Sequence, residues 1–246
     1  MGALSDVLVF GPQRPRWQVA ESPEGRPTVV VSGTYRTDLG ALRGAANANL
    51  SWLYLLQHTT TPSGLPLARC HDSFRHVDGP VDLDEHEARR AWAHLVDLLG
   101  HECRSGPQRQ VLKKIAEQQL QCSATAAELW SQPALIPECW VNVQPPPAAS
   151  DGEAEGREHA PFRVDLLLRA ENYSRGADQP LTAVIEIDSP VHFKDEETLV
   201  RTTAKSRYLM RQGWRYFRFQ VAEIDRLSPQ DLYSETEPHG PDDIEL

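Results

Sequence analysis

The spacing of apolar residues changes rhythm about halfway along the chain. From Thr37 to His58 (TDLGALRGAANANLSWLYLLQH) they recur at helical intervals, with Asp38 placed as a cap. A second helical run starts at Leu83 (LDEHEARRAWAHLVDLLGHE). Its acids fall in the first turn, Ala91, Leu95, Leu98 and Leu99 form one stripe, and Gly100 is the expected stop. A third runs from Gln108 to Gln121 behind Pro107, a residue tolerated in a first turn. Residues 1–36 are broken by Pro and Gly around one β-like run, Thr28 to Ser32. Thr59 to Pro80 reads as loop.

After residue 138 the pattern becomes that of strands. Cys139 to Gln144, Phe162 to Arg169, Thr182 to Asp188 and Trp214 to Phe219 are short apolar runs rich in β-formers. Leu199 to Gln212 is a helix stopped by Gly213, and Pro145 to Pro161 is a polar, acidic, Pro-rich loop. The expected class is α/β, with a mixed sheet flanked by helices in the C-terminal half. The chain divides into a mainly helical region at 1–104 of unknown role, an α/β domain at 105–226 with its core at 162–219, and an acidic tail at 227–246.

Two strands carry charge where a buried strand has none. In AVIEIDSPVHF, Glu186 and Asp188 lie two positions apart and so share one face of the strand. Asp165 interrupts FRVDLLLR in the same way. If the loop from Ala170 to Leu181 makes these strands hairpin neighbours, Asp165 approaches Glu186 and Asp188 at one rim. Three carboxylates there suit Mg²⁺, which takes one or two carboxylates plus water and phosphate oxygens and activates water for phosphodiester hydrolysis. The bland reading leaves these acids solvated or paired with Arg163 or Arg169.

Composition narrows the setting. The 246 residues carry a formal net charge of −10 and are 40% hydrophobic, enough for a sizeable core and unlike a general nucleic-acid coat. The charge is uneven: Thr198 to Phe219 holds Arg201, Lys205, Arg207, Arg211, Arg215 and Arg218 and no acid, whereas Gln220 to Leu246 holds eight acids against Arg226. Cys70, Cys103, Cys122 and Cys139 have no paired spacing, so reduced thiols are expected. No run reaches the ~20 apolar residues of a membrane span. The opening MGALSDVLVFGPQRPRW has neither a secretory pattern nor a clear transit helix, and a soluble intracellular protein is expected.

FRVDLLLR with AVIEID resembles the PD-(D/E)XK nuclease superfamily. The continuation IEIDSPVHF, then Thr202, Lys205, Arg207, Leu209, Gly213 and Trp214 at their spacing, resembles the RAP domain, a branch of that superfamily found in organellar RNA-processing proteins. The resemblance covers Val164 to Phe219, more weakly Gln108 to Gln144, and does not reach the first hundred residues. It implies a restriction-endonuclease-like fold, RNA as partner and a mitochondrion or plastid as location. It also implies Asp165, Glu186 and Asp188 as catalytic or metal-binding acids. Two departures stand out: Ser189 replaces the family glycine, and Asp188 occupies the catalytic-lysine position. Lys205 then has three readings, as a substitute catalytic cation, a phosphate contact or a solvated side chain.

Arginine beside aromatic residues supplies phosphate pairing and stacking surface for single-stranded RNA, with DNA as an option. The candidate contacts are His192, Arg201, Lys205, Arg207, Tyr208, Arg211 and Arg215. Tyr208 and Tyr216 are expected to be exposed, and Trp214 and Phe217 to belong to the core. His192 is either a phosphate contact or a hydrogen-bonded turn residue. His71, His76, His94, His101 and Cys103 lack zinc spacing. Three functions follow: an RNA-binding module of RNA processing, an active Mg²⁺-dependent endonuclease, or a silent module whose N-terminal helices dock a protein.

Overall fold

The computed structural model describes residues 7–10, 16–21, 27–32, 41–43, 50–60, 67–69, 71–74, 84–141, 162–170, 181–188, 196–211 and 213–227. His192, Ser189, the loop at 145–161 and the tail beyond 227 lie outside them.

The described residues form a mixed α/β structure. Four strands in the first 43 residues, β1 (Val7–Phe10), β2 (Arg16–Glu21), β3 (Pro27–Ser32) and β4 (Ala41–Arg43), precede the first helix, α1 (Trp52–His58). The β-like run expected at Thr28 to Ser32 lies in β3. The helical spacing from Thr37 onward is overridden where Ala41–Arg43 pairs antiparallel with β1. The helix begins only after Ser51, whose hydroxyl accepts the Tyr54 N–H. A two-residue strand, β5 (Thr59–Thr60), follows.

Three helices come next, each started by a side-chain cap. Asp84 caps α2 (Glu85–Glu102), and capping boxes from Ser105 with Gln108 and Thr125 with Glu128 start α3 (Gly106–Cys122) and α4 (Ala126–Ser131). Gly100 does not stop α2. It lies buried two residues inside the end, and its carbonyl accepts the Arg109 Nε–H at 2.7 Å; a β-carbon there would meet Arg109 Cγ at 3.6 Å.

The remaining strands are β6 (Leu135–Val141), β7 (Phe162–Ala170), β8 (Leu181–Asp188) and β9 (Arg215–Gln220), with α5 (Glu196–Arg211) between the last two. The sheet order is β5-β4-β1-β6-β7-β8-β9, and β2 pairs with β3 separately. β6, β7 and β8 are antiparallel neighbours, whereas β8 and β9 run parallel. A parallel pair needs a crossover, which α5 provides. Gly213 takes φ +72° just past α5, where a residue with a β-carbon is strained, and turns the chain into β9.

One hydrophobic cluster runs from Leu50 to Leu227, across residue 104. Trp52 is fully buried and donates its indole N–H to Gln119 Oε1 at 2.8 Å; Trp130 donates to the Ala88 carbonyl at 3.1 Å. Leu50 is stitched between sheet and helices, donating to the Arg169 carbonyl and accepting from Ala134 N–H. Helix α5 joins this core differently. Its inward stripe is Thr202, Lys205, Ser206 and Leu209, of which Leu209 alone among the described side chains of the helix is buried.

That arrangement generates a prediction. Leu209→Ala should lower unfolding free energy by about 2–5 kcal/mol in urea denaturation, whereas Leu199→Ala on the outward side should stay within about 0.5 kcal/mol.

Candidate functional site

Backbone pairing between β7 and β8 ends at Leu166 opposite Ile185. Continuing that register puts Asp165 opposite Glu186, so the two acids share a face of the sheet. Their side chains take over where the ladder stops. Glu186 Oε1 accepts the Asp165 N–H at 3.3 Å, and Asp165 Oδ2 accepts the Ile187 N–H at 2.9 Å. Each carboxylate thus satisfies a donor of the opposite strand that a backbone carbonyl would otherwise serve.

Lys205 reaches this gap from α5. Its ammonium lies 2.6 Å from Glu186 Oε2 and donates to the Arg163 carbonyl on β7 at 3.0 Å, straddling the two strands. The side chains of Lys205 and Glu186 are 14% and 13% exposed. Burial raises Glu186 from the ordinary carboxylate range to about 7; Lys205 opposes the rise and Asp165 adds to it.

The row extends into β6. Glu138 sits between Pro137, paired with Leu166, and Cys139, paired with Val164, and is itself skipped by the ladder. Its φ is +54°, a left-handed conformation costly for a residue with a β-carbon. Its side chain is fully buried, ion-paired with Arg163 at 3.0 Å, and burial raises its pKa. Glu138 is the site residue that the sequence reading missed; Arg163, expected as a partner for the strand acids, pairs with it. The signal was an acid inside ALIPECWV, hidden because the strand was expected to begin at Cys139.

Asp165 and Glu186 meet, with Glu138 alongside, but Asp188 turns to the edge strand and pairs with Arg218 Nε at 2.7 Å. Both oxygens of Glu186, one of Asp165 and one of Asp188 already have protein partners. Among the described residues no group of three or more His, Cys, Asp or Glu is placed to hold a metal ion. An ion approaching Glu186 Oε2 would compete with the Lys205 ammonium, 2.6 Å away.

The basic residues divide by exposure. Arg207 and Arg211 point to solvent from α5 and have no ion pair among the described residues. Arg215 is half-buried, Arg218 is held by Asp188, and Lys205 is turned inward; Arg201 lies on α5 with its side chain outside the described set. Tyr208 and Tyr216 are not exposed stacking platforms. Tyr208 is half-buried with its ring 5.6 Å from Phe162, and burial lifts the Tyr216 hydroxyl to about 12. Trp214 is half-buried with the Arg169 guanidinium 5.8 Å from its ring centre. No described helix is long and apolar enough to cross a membrane.

Compared with known proteins, the chain matches no family model, no curated protein and no solved structure. The geometry makes its own prediction. A carboxyl that titrates near 7 when folded and near 4.5 when unfolded holds its proton more tightly in the folded state. Its stabilising contribution is complete below about pH 4.5 and is lost as pH rises through about 7. Glu186→Gln, which mimics the protonated form, should remove this dependence. The stability of wild type relative to the variant should fall as pH rises from 4 to 8, by on the order of 3 kcal/mol, read from urea denaturation across the range. A difference between the two that stays the same from pH 4 to pH 8 contradicts it.

Proposed function

We propose that this chain is an RNA-binding protein of RNA processing whose C-terminal half is a RAP-type module of restriction-endonuclease-like fold. The observation that carries the reading is the outward face of α5, where Arg207 and Arg211 stand one turn apart, exposed and without acidic partners among the described residues. Guanidinium groups so placed pair with successive phosphates by charge-assisted hydrogen bonds. The element order α3-α4-β6-β7-β8-α5-β9 and the motif from Asp165 to Trp214 support the same module. Single-stranded RNA is the favoured ligand and DNA the alternative. By resemblance the setting is a mitochondrion or plastid. In this reading Lys205, Glu186 and Asp165 anchor the binding helix and do not touch substrate.

A second reading, an Mg²⁺-dependent endonuclease, draws on one observation: Lys205 Nζ and both acids lie together as a cation beside two carboxylates. It requires Lys205 to release Glu186. Labelled RNA incubated with Mg²⁺ or Mn²⁺ separates the two readings. Cleavage abolished by Glu186→Ala establishes catalysis; retarded but intact RNA leaves binding alone.

The binding reading predicts that low-salt gel shifts retard single-stranded RNA. The Arg207→Ala/Arg211→Ala double variant should bind at least about tenfold more weakly. Losing two phosphate contacts should flatten the slope of log K against log salt by about 1.4, at ~0.7 per contact on a single strand. An unchanged slope would remove α5 from the interface.

A further inference from the structure

The outward face of α5 is not purely cationic. Leu199, Val200 and Met210 are 52%, 62% and 50% exposed, and they stand among Ala204, Arg207 and Arg211. Val200, Ala204, Arg207 and Arg211 follow the i, i+4, i+7, i+11 spacing of one helical stripe. A phosphate backbone engages the two arginines and leaves the aliphatic side chains in water. An acidic segment that also carries apolar residues engages both.

Residues 228–246 have that composition. They contain Asp231, Glu235, Glu237, Asp242, Asp243 and Glu245, no Lys or Arg, and Leu232, Tyr233, Ile244 and Leu246. We infer that this C-terminal segment docks in cis on the outward face of α5, setting its carboxylates against Arg207 and Arg211 and its apolar side chains against Val200 and Met210.

The covalent path allows it. The described fold ends at the buried Leu227, just after the 3-10 turn Val221–Arg226, which packs against β9 and α3. β9 is the last strand of its sheet, and α5 packs on β9. Nineteen residues span up to ~60 Å when extended, against about 24 Å for the length of α5. The tether holds the segment at roughly millimolar effective concentration. Weak contacts therefore suffice, and salt weakens them. If α5 binds RNA as proposed above, segment and RNA compete for one face; the docking itself does not depend on that reading.

The test uses the whole 246-residue chain and its variant Asp231→Asn/Glu235→Gln/Glu237→Gln/Asp242→Asn/Asp243→Asn/Glu245→Gln. Hydrogen–deuterium exchange is measured first without nucleic acid at low salt. Docking predicts that amides over residues 199–211 exchange at least about threefold faster in the neutralised variant. Arg207→Glu/Arg211→Glu in an otherwise unchanged chain should show the same acceleration. Single-stranded RNA affinity at low salt should rise about tenfold or more in the neutralised variant. Equal exchange in wild type and the neutralised variant overturns the inference, even if RNA affinity rises, since long-range repulsion alone explains that. Faster exchange with no RNA binding by either protein upholds docking and sinks the RNA reading instead.

Discussion

The contact between Lys205 and Glu186 is the constraint around which the C-terminal half is arranged. A helix that crosses over a parallel strand pair ordinarily buries an apolar stripe against the sheet. Helix α5 instead turns Lys205 and Ser206 inward and keeps Leu199, Val200 and Met210 outward. The sheet beneath explains the inversion. Where β7 and β8 part, the surface is the charged row of Asp165 and Glu186, and only a cation complements it. Lys205 meets Glu186 and the Arg163 carbonyl together, so one ammonium ties the helix to both strands.

Such a centre is an expensive way to hold a helix. Taking charges out of water costs more than a well-packed apolar contact, and breaking a buried pair leaves an uncompensated charge. Glu138 adds backbone strain and a second buried acid, balanced by Arg163. Strain and buried charge concentrated on one row, with ordinary core on either side, are what a chain retains at a place that does something. What the row does in the proposed reading is orient α5: because its inward face is polar and fixed in register, Arg207 and Arg211 are presented outward with an apolar border.

Much of this half was legible in the sequence because its signals are local. Phe162–Ala170 and Leu181–Asp188 announce themselves as apolar runs, and their antiparallel pairing brings Asp165 to Glu186. Gly213 marks the end of α5 because only its φ suits the turn there. The misses were decided by tertiary contacts. Ala41–Arg43 has helical spacing, yet pairing with β1 makes it a strand. Glu138 was overlooked because β6 starts four residues earlier than its β-branched and aromatic residues suggest, with Pro137 inside it. Asp188 shares Glu186's face by simple alternation, but alternation says nothing about Arg218, which arrives from the neighbouring parallel strand. The tyrosines were misjudged for a similar reason: Tyr208 packs on Phe162, a residue distant in sequence.

The most direct measurement of the central claim is the cost of Lys205→Met at pH 8, taken by urea denaturation in two backgrounds, the wild-type chain and its Glu186→Gln variant. If the ammonium holds α5 through the Glu186 carboxylate, the substitution is markedly more destabilising in the wild-type background, with a coupling energy above about 1 kcal/mol. Equal costs in the two backgrounds would mean that Lys205 does not act through Glu186, and the account of how α5 is positioned would fail.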